Sequence, residues 1–291
     1  MRSPGTRSGM ENRGLDRVLP DMPRLDQLLV SRGLARSRTH AARLIAEGKV
    51  SSAGDVLAKA SLQVGDDRDV TVAEDAGDAY VSRAGHKLAG ALDAFPAVAV
   101  EGKRCLDAGA STGGFTDVLL RRGAAHVVAV DVGHGQLVPQ LRSDPRVSVH
   151  EGLNVRYMEP GQIGGPAQVT VADLSFISLT LVLAPLAACT APGGDLVLMV
   201  KPQFEIGKER LARTGVVTSE RERRLAVGKV AGAALDAGLE LRGLATSPLP
   251  GQDGNVEYFL WITQRMSEDL PKIEERDAAV AALLGKIWPN H

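Results

Sequence analysis

The chain has 291 residues, of which 44% are hydrophobic and 24% are charged, and its formal net charge is −1. This length fits one large domain and one small one, and the near-neutral charge means that nucleic acid could bind only through a local patch. No apolar run approaches the roughly 20 residues of a transmembrane helix, which argues against an integral membrane or pore-forming protein. Cys105 and Cys189 lie in apolar segments and no hydrophobic signal core is present, so we expect buried thiols and a cytoplasmic location.

The N-terminal quarter of the chain changes character after residue 21. Residues 1–21 are rich in Arg, Ser, Gly and Pro without apolar periodicity, which predicts a disordered leader. Residues 22–75 show two short helical patterns and then a turn-rich stretch, which predicts a small α+β domain. The helical pair is basic, which favours contacts with phosphate groups, although an ordinary solvated helix surface can carry the same charge. Its cations are Arg24, Arg32, Arg36, Arg38, Arg43 and Lys49.

Strand-like and helix-like runs alternate through residues 86–267, after a predicted linker at 76–85. This alternation predicts an α/β domain with a mostly parallel, seven-stranded, doubly wound sheet, whose last strand can enter antiparallel. The strand-like runs are 104–107, 127–131, 147–150, 169–173, 196–201, 239–245 and 256–262, and helix-like runs include 115–122, 179–190 and 219–237. Residues 268–291 carry apolar positions at helical spacing and predict a closing amphipathic helix.

A glycine turn follows the first strand of this domain. Its pattern is Gly-x-x-x-Gly-Gly, formed by Gly109, Gly113 and Gly114, with Ser111 where a dinucleotide fingerprint needs a glycine. A pyrophosphate requires bare backbone amides close to it, so the turn favours S-adenosylmethionine over NAD. Asp131, which ends the second strand, is suited to hydrogen-bond the ribose hydroxyls of that cofactor. A purely structural glycine turn is the alternative.

Charged residues end three further apolar strands. Asp173 and Lys201 follow their strands, and Glu257 lies in the last one. Ligands bind in the crevice at the carboxyl ends of parallel strands, and burying a charge elsewhere is costly, so we expect these residues to share one site. For Glu257 this depends on the direction of its strand, and for each residue alone a solvated charge is the alternative. The histidines show no spacing typical of metal ligands, so no metal is expected.

Two parts of the chain resemble known families. Residues 23–50, with PRLDQLLVSRGLARSR followed by ARLIAEGKV, resemble the small RNA-binding fold named after a ribosomal small-subunit protein (S-four-like). The departure is Ser52-Ala53-Gly54, where such domains often have Val-Asn-Gly. The stretches CLDAGASTGGFTD at 105–117 and GNVEYFL at 254–260, together with Lys87, resemble the TlyA family, whose catalytic half is similar to FtsJ-type ribose 2′-O-methyltransferases. This likeness covers about residues 22–265.

The resemblance implies a Rossmann-like methyltransferase domain that uses S-adenosylmethionine to methylate cytidine ribose hydroxyls of ribosomal RNA. The implied partner is ribosomal RNA or a ribosomal subunit, and we expect a monomer with no membrane partner. By the same resemblance, the catalytic tetrad is Lys87, Asp173, Lys201 and Glu257. The implied cofactor turn comprises Gly109, Ser111, Gly113 and Asp131, and we add Gly114 and Asp173 as expected cofactor contacts.

The chemistry gives each member of the tetrad a task. A ribose hydroxyl is a weak acid, so an enzyme must orient it and take its proton as the methyl group transfers. A lysine can do so when burial and a second cation lower its pKa. We expect Lys201 to touch the hydroxyl, Lys87 to be the neighbouring cation, and Asp173 and Glu257 to hold the two ammonium groups.

Two other classes of protein remain as alternatives. One is an RNA-binding assembly factor with an inert cofactor fold, and the other is a membrane-active hemolysin, a label often given to this family. The intact tetrad argues against the first, and the lack of an apolar span argues against the second.

Overall fold

A computed structural model describes residues 22–35, 38–46, 48–65, 68–72, 80–207, 209, 211, 214–251, 253–265 and 273–289. The chain divides into two compact units, Met1–Ala79 and Tyr80–His291. The leader predicted for residues 1–21 lies outside the described residues.

The N-terminal unit is a small α+β domain, as the sequence predicts. Helices α1 (Leu25–Ser31) and α2 (Arg38–Ala46) accompany an antiparallel sheet of order β2-β1-β3, formed by Val50–Ser52, Asp55–Val56 and Thr71–Val72. The helical spacing of the leucines in α1 places one face of that helix in a core with α2 and β1.

The turn between β1 and β2 places an unfavourable residue in a left-handed conformation. Ser52 pairs with Asp55, so the hairpin loop has two residues, Ala53 with φ +51° and Gly54 with φ +90°. Two positive φ angles in a two-residue loop are typical of a type I′ turn, which prefers Asn-Gly. Alanine is strained there because its Cβ crowds the backbone.

Replacing Ala53 with Asn should therefore stabilise the N-terminal unit, by about 0.5–1 kcal/mol, because Asn tolerates this conformation better. Slower hydrogen exchange of the β1 and β2 amides would show it. Gly54→Ala is the matched control with the opposite sign, since an added Cβ would meet no atom within 4 Å and would introduce backbone strain alone. Faster exchange in Ala53→Asn would contradict this account of the turn.

The C-terminal unit contains a seven-stranded sheet of order β6-β5-β4-β7-β8-β10-β9. Its strands are β4 (Arg104–Ala108), β5 (His126–Asp131), β6 (Val147–Glu151), β7 (Ala167–Ala172), β8 (Thr190–Val200), β9 (Leu239–Thr246) and β10 (Tyr258–Gln264). Strands β4 to β8 pair in parallel, and β10 enters antiparallel between β8 and β9. The predicted fold class is confirmed.

Helices cover both faces of this sheet. The helices are α3 (Arg83–Ala94), α4 (Gly114–Arg121), α5 (Pro139–Arg142), α6 (Leu183–Ala188), α7 (Pro202–Glu205), α8 (Glu220–Asp236) and α9 (Ile273–Leu284). Successive strand residues alternate between two cores: Cys105 and Val127 pack with α3 and α4, while Leu106 and Val128 pack with α6, α8 and α9. This alternation is the two-residue period of a strand buried on both sides.

Two boundaries differ from the sequence expectation. Helix α3 begins at Arg83, inside the segment 76–85 assigned to a linker. The helix expected over 179–190 is a short 3-10 helix at Leu179–Leu181 followed by α6, which stops at Ala188, and the strand expected from 196 already begins at Thr190 as β8. The Thr190 hydroxyl donates to the carbonyl of Leu186 at 2.7 Å, which satisfies a helix-end acceptor.

The closing helix α9 packs against the sheet. Its last turn buries Leu283 and Leu284, and the ring of Trp288 lies 5.2 Å from that of Tyr258. Across the residues that the structure describes, no helix is both long and apolar enough to cross a membrane.

Candidate active site

The glycines of the turn after β4 lie so close to neighbouring atoms that a side chain at any of them would clash. Gly109 has φ +89°, and a Cβ added there would lie 2.7 Å from the carbonyl oxygen of Asp173. Gly113 has φ +98°, and its Cβ would lie 2.3 Å from a methyl group of Leu141. Gly114 opens α4, where a Cβ would lie 2.2 Å from the hydroxyl oxygen of Ser82. Gly109 is thus required by a close approach to backbone, whereas Gly113 and Gly114 leave room for the side chains of Leu141 and Ser82.

Ser111 and Asp131 are joined directly. Ser111 adopts a left-handed conformation with φ +47°, and its N–H donates to Asp131 Oδ2 at 2.8 Å. Gly133 N–H donates to Asp131 Oδ1 at 2.7 Å. Each carboxylate oxygen can accept a second hydrogen bond, so Asp131 is oriented and still able to bind the hydroxyls of a ribose.

Two cavities share Ser111 in their lining. The larger is lined by Thr112, Asp173 and Lys201 among others. The smaller is lined by Asp131, Gln136 and Glu151 among others. Gln136 and Glu151 are site residues that sequence reasoning missed. Glu151 could have been found from the sequence, because it is a charged residue at the end of a strand-like run. In the structure it ends β6 directly opposite Asp131 on β5.

The predicted tetrad forms two ion pairs. Lys201 Nζ lies 2.6 Å from Asp173 Oδ1, and Lys87 Nζ lies 2.5 Å from Glu257 Oε2. The side chains are 11% and 18% exposed in the first pair and 10% and 3% exposed in the second. Charges this well buried are stable only when they are paired, so each lysine is held by its own carboxylate.

The antiparallel direction of β10 places Glu257 at the edge of the sheet that bears the glycine turn. Tyr258, the first residue of β10, pairs with Val200, the last residue of β8. Glu257 therefore precedes its strand at the edge where Lys201 follows the neighbouring strand. Gly251 permits this arrangement, since a Cβ there would lie 2.7 Å from a carboxylate oxygen of Glu257.

Ser175 is a further site residue that sequence reasoning missed. Its Oγ accepts a hydrogen bond from Lys201 Nζ at 2.8 Å, and it lines the larger cavity with Asp173. Lys201 thus contacts two side chains of the loop that follows β7. The signal was the short spacing from Asp173, which places Ser175 on the same strand-end loop.

Asp107 is a buried acid beneath the glycine turn. It is fully buried, Thr116 Oγ1 donates to its Oδ2 at 2.7 Å, and its Oδ1 has no hydrogen-bond partner within the described part of the chain. Burial raises the pKa of Asp107 to about 7, the Thr116 hydrogen bond opposes this, and the negative charge of Asp173 adds to it. Near neutral pH the folded protein therefore holds Asp107 partly protonated.

Folding stability should consequently fall as pH rises from about 4 to about 7, because over that range the folded state binds the Asp107 proton more tightly than the unfolded state. One pKa unit corresponds to about 1.4 kcal/mol. The difference in free energy of unfolding between Asp107→Asn and wild type should therefore shift in favour of the variant by on the order of 3 kcal/mol between pH 4 and pH 8. Urea unfolding of both proteins across this range measures it. Parallel stability curves for the two proteins would contradict the prediction.

The predicted RNA-binding cations of the N-terminal unit are partly engaged with protein groups. Asp26, with a side chain 7% exposed, pairs with Arg24 at 3.0 Å and with Arg38 at 3.0 Å. The Arg24 hydrogen bond is the main reason that the pKa of Asp26 is lowered to about 2. The Arg24 side chain stays 43% exposed and the Arg38 side chain 58% exposed.

The structure describes the other four predicted cations in less detail. Arg32 donates to the carbonyl of Arg68 at 2.8 Å, and Lys49 directly precedes β1. Arg36 and the side chain of Arg43 lie outside the described residues.

The sheet order, the glycine turn and the acid at the end of β5 together define a Rossmann-like methyltransferase. Comparison with known proteins agrees. A family model described as FtsJ-like methyltransferase matches residues 80–264, and a model of the S4 domain matches residues 23–70.

Several relatives resemble nearly the whole chain. The 16S/23S rRNA (cytidine-2′-O)-methyltransferase TlyA of Mycobacterium tuberculosis is 52% identical over 89% of this chain and 97% of its own length. Hemolysin A of Brachyspira hyodysenteriae is 36% identical over 81% of this chain and 98% of its own. A solved structure from Streptococcus thermophilus, described as a candidate hemolysin, has a TM-score of 0.67 at 36% identity and covers 93% of this chain and 98% of that one.

The chain therefore belongs to the TlyA family of FtsJ-like methyltransferases that carry an N-terminal S4 domain. The resemblance seen in the sequence is confirmed.

Proposed function

We propose that the protein transfers the methyl group of S-adenosylmethionine to the 2′-hydroxyl of a cytidine ribose in ribosomal RNA. The observation that carries this is the pairing of Lys201 with Asp173 and of Lys87 with Glu257 at the edge of the sheet that bears the glycine turn. The Mycobacterium tuberculosis relative is an rRNA (cytidine-2′-O)-methyltransferase, which supports the same substrate.

The residues around the turn fit this cofactor. The Asp131 carboxylate is oriented by two backbone amides and suits the ribose hydroxyls, while Asp173 offers a carboxylate to an amino group. Ser111 stands where a dinucleotide would need glycine, so the turn does not suit a pyrophosphate. When bound, the cofactor supplies a methyl group made electrophilic by the adjoining sulfonium.

We assign the contact with the target hydroxyl to Lys201. In its neutral amine form Lys201 Nζ accepts the proton as the oxygen attacks, and the ammonium that results is the form that Asp173 and Ser175 hold in the structure. Glu257, which the register of β10 places opposite Lys201, holds Lys87 as a fixed positive charge. Alignment of the hydroxyl with the methyl group contributes further acceleration.

Phe176 supports an RNA substrate whose base is turned out of its stack. It lies three residues after Asp173, its side chain is 92% exposed, and its backbone φ is +63°. A bulky residue in a left-handed conformation is strained and is typical of functional loops. An exposed ring beside a methyl-transfer site can stack on a nucleobase, and such stacking contributes about 1–3 kcal/mol.

Phe176→Ala should therefore raise the KM for RNA by roughly 10- to 100-fold, which corresponds to that stacking energy. Binding of the cofactor, measured by calorimetry, should stay unchanged. Leu181→Ala is a matched control, since Leu181 is another exposed apolar residue nearby, at 47% exposure. A wild-type KM in Phe176→Ala would contradict base stacking at this position.

The decisive experiment incubates the protein with methyl-labelled cofactor and separated ribosomal subunits, then maps the modified nucleotide. Label on a cytidine 2′-oxygen is the expected result. Label on a base, on DNA or on protein, or no transfer at all, would overturn the proposal. The RNA requirement follows from the 2′-hydroxyl, which DNA lacks.

A further inference from the structure

Glu205 is a buried acid that the proposed reaction leaves without a task. It is 3% exposed at the end of α7, four residues after Lys201. Its carboxylate accepts hydrogen bonds from Ser178 Oγ at 2.5 Å and from Leu179 N–H at 2.7 Å. Burial raises the pKa of Glu205, and these two hydrogen bonds oppose the rise.

The loop 173–178, which follows β7, is attached at both ends to the segment 201–205. At its beginning, Lys201 binds Asp173 and Ser175. At its end, Glu205 binds Ser178 and the adjoining N–H of Leu179. Between these attachments the rings of Phe176 and Phe204 lie 5.3 Å apart. The two strand-end segments are thus joined along their length, and Glu205 makes the attachment farthest from the reacting group.

Helix α8 also contacts Glu205, through Lys229. Lys229 Nζ donates to the backbone carbonyl of Glu205 at 2.9 Å and lies 3.9 Å from its carboxylate. Glu205 is therefore held by α8 on one side while it holds the loop on the other.

We propose that Glu205 is a positioning residue for methyl transfer: it fixes the far end of the loop 173–178 so that Asp173, Ser175 and Phe176 keep their working geometry. The strained backbone of Phe176 makes such a restraint necessary, because a left-handed conformation at this residue relaxes unless its surroundings hold it. The inference rests on the proposed function, in which Lys201 and Asp173 act on the target hydroxyl.

The test compares Glu205→Ala, Glu205→Gln and Ser178→Ala in the full-length protein, with labelled cofactor and ribosomal subunits at saturation. Glu205→Ala should lower kcat at least tenfold and also raise the cofactor Kd, because the loop that Glu205 fixes carries Asp173. Ser178→Ala, which removes one of the two partners, should lower kcat about threefold. Glu205→Gln should recover most of the activity, because its amide can accept from Leu179 N–H and donate to Ser178 Oγ.

Asp195→Ala is the matched control for loss of a buried acid. Asp195 is 8% exposed, lies in the middle of β8 six residues before Lys201, and accepts a hydrogen bond from Trp261 Nε1 at 2.9 Å. It should lower Tm without lowering kcat.

The outcomes separate the two proposals. A wild-type kcat in Glu205→Ala overturns the positioning role, and if that variant does not fold, a wild-type kcat in Ser178→Ala overturns it. A loss of kcat that Glu205→Gln fails to recover also overturns it. Full activity in Lys201→Ala would instead overturn the assignment of the reacting lysine.

Discussion

Lys201→Ala should reduce the rate of methyl transfer by at least about 10³-fold, within the range that a positioned proton acceptor contributes. The loss is expected because Lys201 alone joins Asp173 and Ser175 at the larger cavity, so no neighbouring group in the described part of the chain can replace its Nζ. Single-turnover transfer to ribosomal subunits, at saturating protein and cofactor, isolates this step from binding.

Lys103→Ala is the matched control for Lys201→Ala. Lys103 pairs with Asp195 at 3.7 Å, toward the opposite edge of the same sheet. Its substitution also breaks a lysine–aspartate pair but should leave the transfer rate unchanged. If Lys201→Ala reacted at the wild-type rate, or if both variants lost activity equally, the assignment of Lys201 would be wrong.

Deleting residues 1–79 should weaken binding to ribosomal RNA by 10-fold or more and reduce its dependence on salt. For every phosphate group that the shortened protein no longer binds, the slope of log K against log salt should become shallower by about 0.7–0.9. The N-terminal unit holds Arg24 and Arg38 exposed around Asp26, which is a fixed arrangement suited to phosphate groups.

Cofactor binding should survive this deletion. All residues lining the two cavities lie at Ser82 or beyond, and the C-terminal unit has cores of its own. Filter binding over a salt series, together with calorimetry of the cofactor, measures both effects. Unchanged RNA affinity, or loss of cofactor binding, would contradict this division of tasks between the units.

Much of the sheet and its functional edge could be predicted from the sequence. Apolar runs that end in a charged residue strongly indicate the end of a buried strand. A charged side chain is costly inside the sheet, so it lies where the strand reaches solvent or a binding site. Asp131, Asp173 and Lys201 followed from that rule. Glu257 followed from it only on the condition that its strand runs in the suitable direction, and the antiparallel pairing of Tyr258 with Val200 establishes that direction.

The contacts that orient the charges could not be predicted. Asp26 neutralises part of the basic pair formed by Arg24 and Arg38, although charge counting treats each residue as independent. Glu205 reaches Ser178 across 27 residues of chain. Glu205 and Ser178 are far apart in sequence and share no period, so their contact becomes visible only when strand order brings their loops together.

The pairing of Lys87 with Glu257 has a consequence for the order of events during synthesis. The two residues are 170 positions apart, and Glu257 lies near the end of the chain. A nascent polypeptide carries Lys87 and the glycine turn well before β10 has left the ribosome, and until then the ammonium group of Lys87 must stay hydrated. This ion pair of the proposed active site can therefore form only after residue 257 has been synthesised, and premature termination upstream of that residue yields a chain that lacks it.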